Sequence, residues 1–200
     1  KDTPVYKKSQ HLYALNFAKN NAERKLILCE GYMDVIAMHQ AGFTNTVAAL
    51  GTSFPEEQMQ LIARYADRIN LIFDADGAGQ KATRRAIENL RKTGLDVRVV
   101  TIPNGKDPDE FIKKHGQEGP TKFRALLEGA VNDIEYRLYQ ASQGIDLTTD
   151  SGKVAYLEKA ARVIGSLSSS VEQDVYAGRV ANQCGVAKEA VLTAAKTYGK

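Results

Sequence analysis

The sequence predicts an α/β fold, with a mostly parallel sheet flanked by helices, followed by an all-helical subdomain. Residues 26–102 repeat one unit, in which a short apolar run precedes an amphipathic stretch long enough for a helix. Strands that are apolar on both faces must be buried on both, which indicates parallel strands covered by helices. After Gly119 the helical periodicity continues without further β-branched runs, which predicts the separate helical region.

The α/β region is built from four predicted strands and three predicted helices. Gly42 and Gly94 stand where the left-handed end of a helix favours glycine, and Pro55 suits the first turn of a helix. The strands are expected at residues 26–29, 46–50, 69–73 and 97–102, and the helices at residues 32–41, 55–66 and 78–93.

The rest of the chain is predicted to be helical, with one polar loop. Near the start, Ser9 is expected to cap a short helix that carries Leu12, Leu15 and Ala18. Further helices are expected at residues 121–142, 151–166, 171–183 and 187–198, and the loop at residues 142–150. The predicted division is a tail of a preceding segment at 1–24, the α/β domain at 25–118 and the helical subdomain at 119–200.

Composition excludes some classes of protein and leaves others open. No stretch reaches the ~20 consecutive apolar residues of a membrane span, which predicts a soluble, cytoplasmic protein. The formal net charge of +3 permits contact with nucleic acid without requiring it. Cys29 and Cys184 lack zinc-binding or Cys-x-x-Cys spacing, which predicts buried thiols. Because the chain starts at Lys1 and enters a patterned segment at once, we expect a fragment of a longer protein.

Acidic residues directly follow two of the predicted strands. Glu30 follows the first strand, and Asp74 follows the third, with Asp76 two residues later. Ligands of open α/β sheets bind at the carboxyl ends of the strands, so parallel strands would bring these acids to one edge. Carboxylates at one edge repel each other unless a hard cation neutralises them. The sequence therefore predicts a Mg²⁺ site that handles nucleotide phosphates.

The Asp-x-Asp run allows other interpretations. An EF-hand is excluded because Ala78 stands where the third oxygen ligand belongs and Arg85 stands at the twelfth position. An ordinary polar turn remains open. A phosphatase with an aspartyl nucleophile also remains open on Asp74 and Asp76 alone.

A second acidic group, Lys106 to Glu110, follows the fourth predicted strand. Asp107 as N-cap and Pro108 in the first turn form a favourable helix start, so we favour the capping interpretation. Asp109 can face the metal site while Asp107 caps the helix. Asp34, in the first turn after Glu30, is interpreted as a partner of the helix dipole rather than a ligand.

Basic residues recur at helical spacing after the Asp-x-Asp run. They form a basic stripe that comprises Lys81, Arg84, Arg85, Arg91 and Lys92. The stripe either follows a nucleic-acid backbone or is a solvated helix face, and both interpretations stay open.

Near the end of the chain, residues 175–195 have the pattern of a helix-turn-helix. We favour packing of these helices against the rest of the protein over reading of a DNA groove.

Four motifs in this order resemble the Toprim domain of bacterial DnaG-type primases over residues 26–115: Glu30-Gly31-Tyr32-Met33-Asp34, Ala49-Leu50-Gly51-Thr52-Ser53, Phe73-Asp74-Ala75-Asp76-Gly77 and Lys106-Asp107-Pro108-Asp109-Glu110. A Glu with a later Asp-x-Asp is shared with topoisomerases, repair proteins and nucleases, whereas the first and last motifs are more diagnostic of primases. The segment from Pro4 to Leu15 is similar to the one that leads into Toprim, with Ala14 where the family leads us to expect glycine.

The resemblance implies a nucleotidyltransferase that synthesises short RNA primers on single-stranded DNA from nucleoside triphosphates during replication. It implies Mg²⁺, which Mn²⁺ can replace. The implied catalytic metal ligands are Glu30, Asp74 and Asp76 with contributions from Asp107 and Asp109, and Lys8 is an implied phosphate contact. Lys81 and Arg84 of the basic stripe are the other expected phosphate contacts.

The resemblance also implies which parts of a primase this fragment lacks. A zinc-binding module, the first half of the polymerase core and the domain that contacts the replicative helicase are expected to lie outside it. The fragment is therefore expected to bind metal better than it makes primers. The alternatives are a Toprim nuclease or topoisomerase-like enzyme and a non-catalytic DNA-binding module.

Overall fold

The computed structural model describes residues 3–4, 7–49, 55–72, 86–87, 89–103 and 107–198. The chain forms two compact units, Lys1–Asp133 and Ile134–Lys200. Within the described ranges, no helix has both the length and the apolar character needed to cross a membrane.

The described part of the first unit contains a six-stranded sheet with the order β1-β3-β2-β4-β5-β6. The four central strands β3, β2, β4 and β5 are parallel, and the short outer strands β1 and β6 are antiparallel to their neighbours. The predicted α/β fold with a mostly parallel sheet is confirmed. The strands are β1 Leu12–Tyr13, β2 Lys25–Cys29, β3 Thr46–Ala49, β4 Arg68–Ile72, β5 Asp96–Val100 and β6 Val131–Asn132.

The helices of the first unit follow the predicted pattern after β2 and β3. They are α1 Leu15–Ala18, α2 Tyr32–Gln40, α3 Glu56–Tyr65, α4 Pro108–Lys114 and α5 Gly119–Glu128, and residues 86–87 and 89–91 are also helical. Gly42 and Gly94 have positive φ of 92° and 79°, which confirms their predicted place at helix ends. Most of the helix predicted at 78–93, and the predicted strand ends at Leu50 and Phe73, lie outside the described residues.

One face of the sheet packs against α2, α4 and α5. The apolar cluster on this face includes Ile27 and Val100 from the strands and Met38 from α2. Phe123 of α5 is fully buried, and its ring lies 5.4 Å from that of Phe43 and 5.8 Å from that of Phe111 in edge-to-face geometry. This aromatic cluster attaches α4 and α5 to the sheet.

Two expectations for secondary structure are wrong. The single helix predicted at 121–142 ends at Glu128, because Gly129 and Ala130 lead into β6 at the edge of the sheet before a new helix begins at Asp133. The segment 119–133 accordingly lies in the first unit, whereas the predicted division assigned it to the helical subdomain. The short helix expected after Ser9 is instead a 3₁₀ turn, Lys8–Gln10, followed by β1, whose Leu12 pairs with Ala49 of β3.

The described part of the second unit consists of helices joined by short loops, as predicted. Its helices are α6 Asp133–Ser142, which begins at the last residue of the first unit, α7 Asp150–Gly165, α8 Ser170–Cys184 and α9 Lys188–Lys196. The Thr149 hydroxyl accepts a hydrogen bond from the Gly152 amide at 3.1 Å and caps α7. Gly185 ends α8 in the left-handed conformation. Tyr156, Ile164 and Val180 are buried at the core.

Candidate active site

Glu30 lies at the carboxyl end of β2, directly after Cys29, and is exposed to solvent. Gly31 follows as the N-cap of α2, and its amide donates a hydrogen bond to Asp34 Oδ2 at 3.1 Å. Asp34 lies in the first turn of α2, the predicted position, where its charge suits the helix dipole. A Cβ atom on Gly31 would lie 3.1 Å from the same oxygen, so the glycine permits this contact next to Glu30.

The strand before the Asp-x-Asp run ends at the same edge of the sheet as β2. β2 and β4 are hydrogen-bonded parallel neighbours, with Leu28 opposite Leu71, so Cys29 and Ile72 lie at the same level. Asp74 follows Ile72 by two residues in the sequence. The observed register therefore gives both strands a common exit edge.

Four of the predicted site residues lie outside the described residues: Asp74, Asp76, Lys81 and Arg84. Among the residues that are described, no three acidic, histidine or cysteine side chains form a group that could hold a metal ion. The convergence of Glu30 with the Asp-x-Asp carboxylates stays a prediction.

The acids of the fourth motif lie at the start of α4. Asp107 is the N-cap, and its Oδ1 accepts a hydrogen bond from the Glu110 amide at 2.7 Å, which confirms the capping interpretation. Asp109 Oδ2 lies 2.6 Å from Lys113 Nζ, and this hydrogen bond and the charge of Asp109 raise the pKa of Lys113. A metal ion bound by Asp109 would have to compete with this ammonium group.

The helices that follow Glu30 and Asp107 share one apolar cluster. Val35 and Met38 of α2 lie in it together with Phe111 of α4. The segments that carry Glu30 and Asp107 are thereby joined through buried side chains.

Lys8 is exposed in the 3₁₀ turn. The backbone of this turn is hydrogen-bonded by Gln58, a residue for which the sequence did not lead us to expect a role. Gln58 of α3 is only 1% exposed, and its Nε2 donates hydrogen bonds to the carbonyl oxygens of Lys8 at 2.8 Å and His11 at 2.9 Å. Gln58 and Ile62 are four residues apart and both buried. The sequence feature that could have identified Gln58 is therefore a glutamine on the apolar face of an amphipathic helix.

The donor chemistry at this edge fits a hard divalent cation. The predicted ligands are all carboxylates, the oxygen donors that Mg²⁺ prefers, and the cation usually keeps several waters. Glu30 is exposed enough to meet a hydrated ion, whereas Cys29, the adjacent soft ligand, is buried. The described part of the edge is compatible with the predicted metal.

Two family models and a set of curated relatives match this chain. Residues 27–112 match the Toprim-like family, and residues 134–189 match the DnaB-helicase binding domain of primase. The DNA primase of Clostridium acetobutylicum is 41% identical over 191 residues, which is 95% of this chain and 31% of that protein. The chain belongs to the bacterial DnaG-type primase family. A Toprim domain implies the use of a divalent metal in general, without showing which metal.

Solved structures of DnaG-type primases share the fold over nearly the whole chain. A DNA primase domain from Pseudomonas aeruginosa gives a TM-score of 0.74 at 32% identity, covering 98% of this chain and 62% of that one. A second neighbour is the RNA polymerase domain of Mycobacterium tuberculosis primase DnaG in complex with a double-stranded DNA oligomer with a 6-nucleotide overhang. Its TM-score is 0.79 at 29% identity, covering 94% of this chain and 60% of that one. The predicted order of a Toprim α/β region and a helical region is confirmed.

The helicase-related match changes one expectation about DnaG-type partners. The resemblance led us to expect the helicase contact in a domain outside this chain, whereas the matched residues 134–189 lie within it. The chain spans about a third of the length of the curated relatives it matches, with 31%, 32% and 30% for three of them. The activity, substrates and partners of a whole primase are therefore proposals for this chain.

Proposed function

We propose that this chain is the Toprim-containing part of a primase's RNA-polymerase core, which extends short RNA primers on single-stranded DNA in the cytoplasm. In this reaction the primer 3′-hydroxyl attacks the α-phosphate of a nucleoside triphosphate, and pyrophosphate leaves. The similarity to curated primases along 95% of the chain supports the proposal. The geometric observation that carries it is the parallel pairing of β2 and β4, which end at one edge just before Glu30 and Asp74.

We propose that Glu30, Asp74 and Asp76 hold Mg²⁺, with Asp107 and Asp109 contributing. When bound, such an ion lowers the pKa of an attacking hydroxyl and neutralises charge on the leaving phosphate. The bond from the Gly31 amide to Asp34 fixes the start of α2 directly after Glu30, which orients that segment at the edge. The Asp107 cap orders the start of α4 in the same way. Positioning of this kind supplies much of the catalysis of phosphoryl transfer.

Lys8, Lys81 and Arg84 are the proposed contacts to nucleotide or nucleic-acid phosphates. For Lys8, the two hydrogen bonds from the Gln58 amide hold the backbone while its side chain stays at the surface. An ordered backbone lowers the entropy that a lysine loses on binding an anion.

Calorimetric titration with Mn²⁺ tests the metal site. We expect Glu30→Gln and Asp76→Asn each to weaken Mn²⁺ binding by roughly tenfold or more, since each removes a charged ligand. Glu158→Gln, an exposed carboxylate of α7, serves as the control and should bind as the wild type does. Unchanged binding in both site variants would refute the assignment.

Primer extension by the full-length protein tests the reaction. The Asp74→Asn variant should bind single-stranded template but fail to extend primers from nucleoside triphosphates. Extension at the wild-type rate would remove Asp74 from the catalytic set.

We also infer that the second unit contacts the replicative helicase. The match of residues 134–189 to a helicase-binding domain of primase supports this inference. Within that range, Val171 and Val175 of α8 are 71% and 60% exposed and are separated by one helical turn, so they share a face. Exposed apolar side chains on one face are typical of a docking surface.

Helicase binding by full-length protein carrying Val171→Asp and Val175→Asp tests this surface. Two charges in an apolar contact should abolish co-elution with the purified helicase. Val154→Asp is the matched control, because Val154 is 56% exposed on the neighbouring helix α7. Retained co-elution of the double variant would exclude the α8 face.

A further inference from the structure

The amino-terminal half of one sheet face in the first unit is charged. Lys25 of β2 pairs in register with Arg68 of β4, and Asn70 of β4 pairs with Arg98 of β5. Side chains two apart along a strand share a face, so these residues lie on the face that also carries Ile27. Both faces of a parallel sheet are usually apolar, so these cations depart from the expected composition.

The charged residues line a cavity of about 640 Å³. The turn from Gly42 to Asn45 and the end of α5, including Arg124 and Leu127, complete its walls. The apolar cluster under α2, α4 and α5 contains Cys29, Ile72 and Val100 from the other half of this face, so the amino-terminal half remains open. The volume is within the usual ~300–1,000 Å³ of small-molecule sites.

Four cations from four different elements converge on this cavity: Lys25, Arg68, Arg98 and Arg124. Among the lining residues Glu23 and Glu128 are the acids, and Glu23 pairs with Lys25 at 2.8 Å. With Asp96, which bonds Arg68 and Arg98 from beside the cavity, the net charge of the group is +1. Convergence from separate elements differs from a solvated helix face, where like charges follow from the periodicity of one segment.

Asp96, beside the cavity, orders two of the arginines. Its carboxylate accepts hydrogen bonds from Arg68 Nε at 2.6 Å and Arg98 Nε at 2.8 Å. Burial works to raise the pKa of Asp96, but the hydrogen bonds from Arg98 and Arg68 outweigh it and hold this pKa below its ordinary value. One carboxylate thus fixes two guanidinium groups, whose Nη atoms carry further donors suited to phosphate.

The other polar groups of the cavity suit a ligand larger than a single phosphate. Asn45 donates a hydrogen bond from Nδ2 to the Lys25 carbonyl at 2.8 Å, which fixes its amide at the wall. Asn21 and Asn70 add two more amides that can both donate and accept. The guanidinium of Arg124 lies over the Phe43 ring at 5.9 Å, which orients it at the cavity.

We propose that this cavity binds a phosphorylated small molecule of nucleotide size. The site is separate from the proposed metal edge, because Lys25 and Cys29 are at opposite ends of β2, about 13 Å apart at the usual rise of a strand. The proposal does not depend on the catalytic role of the chain. The concave shape of the cavity favours a discrete ligand over a continuous nucleic-acid backbone, which needs an open groove.

Titration of the chain with ATP and with inorganic pyrophosphate, both in EDTA, tests the proposal. EDTA removes metal-dependent binding at the carboxylate edge, so failure of this site and failure of the proposed active site are distinguishable. Arg124→Gln should weaken binding by roughly tenfold, the usual effect of losing a charged hydrogen bond. Lys122→Gln is the matched control, because Lys122 lies on the same helix, pairs with Glu118 and does not line the cavity.

The two ligands distinguish the source of the phosphate. Equal affinity supports a site for the phosphate groups alone, and tighter binding of ATP supports a nucleotide site with contacts from the asparagines. Equal losses in Arg124→Gln and Lys122→Gln, or no saturable binding, would overturn the proposal. Preference for a single-stranded oligonucleotide over both ligands would also overturn it.

Discussion

Gln58 shows how one buried polar side chain links the fold to a proposed phosphate contact. Its amide bonds two carbonyl oxygens of the segment that carries Lys8, and it lies beside the buried Met59 and Ile62. Among the described parts of the chain, its Oε1 is a buried oxygen without a hydrogen-bond partner. The polar group is therefore maintained for the two donated bonds rather than for packing.

Gln58→Leu should destabilise the chain by about 1–2 kcal/mol, because two carbonyl groups lose their donor. Urea denaturation measures this loss. Gln60→Leu, an exposed position on the same helix, should change the free energy of unfolding by less than about 0.5 kcal/mol. Equal stability of Gln58→Leu and the wild type would show that water replaces the amide.

Ala14 adopts a left-handed backbone with φ 62° and ψ 10°, at the position where the family pattern led us to expect glycine. A residue with a Cβ atom pays roughly 1 kcal/mol for this conformation. Ala14→Gly should therefore raise the free energy of unfolding by about 0.5–1 kcal/mol in urea denaturation. Ala18→Gly, at a buried helical position, should lower it, and a destabilising effect of Ala14→Gly would contradict the strain argument.

At the scale of elements, the central strands were predictable and the edge strands were not. Strand β2 is apolar and buried from Leu26 to Cys29, and β3 is buried at all four of its residues, a pattern that buried parallel strands require. β1 and β6 have two residues each, which is too short for any periodicity, and their pairing depends on neighbours far away in sequence. The end of the helix at Glu128 was not predicted for the same reason, because α5 and α6 both have helical periodicity and only the two-residue β6 separates them.

Phe123 tests how α5 is attached to the sheet. Phe123→Ala should destabilise the chain by about 3–5 kcal/mol, because the ring is fully buried between Phe43 and Phe111. Phe17→Ala is the control, because Phe17 is 69% exposed and its removal should change the stability little. Thermal unfolding followed by circular dichroism measures both, and similar melting temperatures would show that α5 is held by other contacts.

For the whole molecule, the sequence predicted the order of regions better than their junction. Asp107 was predicted as a cap from local chemistry, and the structure agrees because a cap needs only its own helix start. The junction depends on Phe123, which completes an aromatic cluster with residues 12 and 80 positions earlier in the chain. Glu30 was predicted as a ligand from its place at the end of a strand, whereas the positioning by Gln58 depends on a contact across 50 residues.

A truncated chain tests this junction. Residues 1–133 should fold and bind Mn²⁺ as the whole chain does, because α5 and β6 remain with the sheet. Residues 1–118 should not fold stably, since removal of Phe123 exposes the apolar cluster. Circular dichroism and Mn²⁺ titration distinguish these outcomes, and a stable 1–118 fragment would restore the junction expected from the sequence.

The two short outer strands have a consequence for the behaviour of the protein at high concentration. A sheet that ended at β3 and β5 would present unpaired amides and carbonyls to other molecules, a known route to aggregation. β1 and β6 cover part of those edges with two residues each, and β6 pairs with Arg98 and Val99 of β5. Substitutions that detach either strand should therefore lower solubility before they alter the central strands.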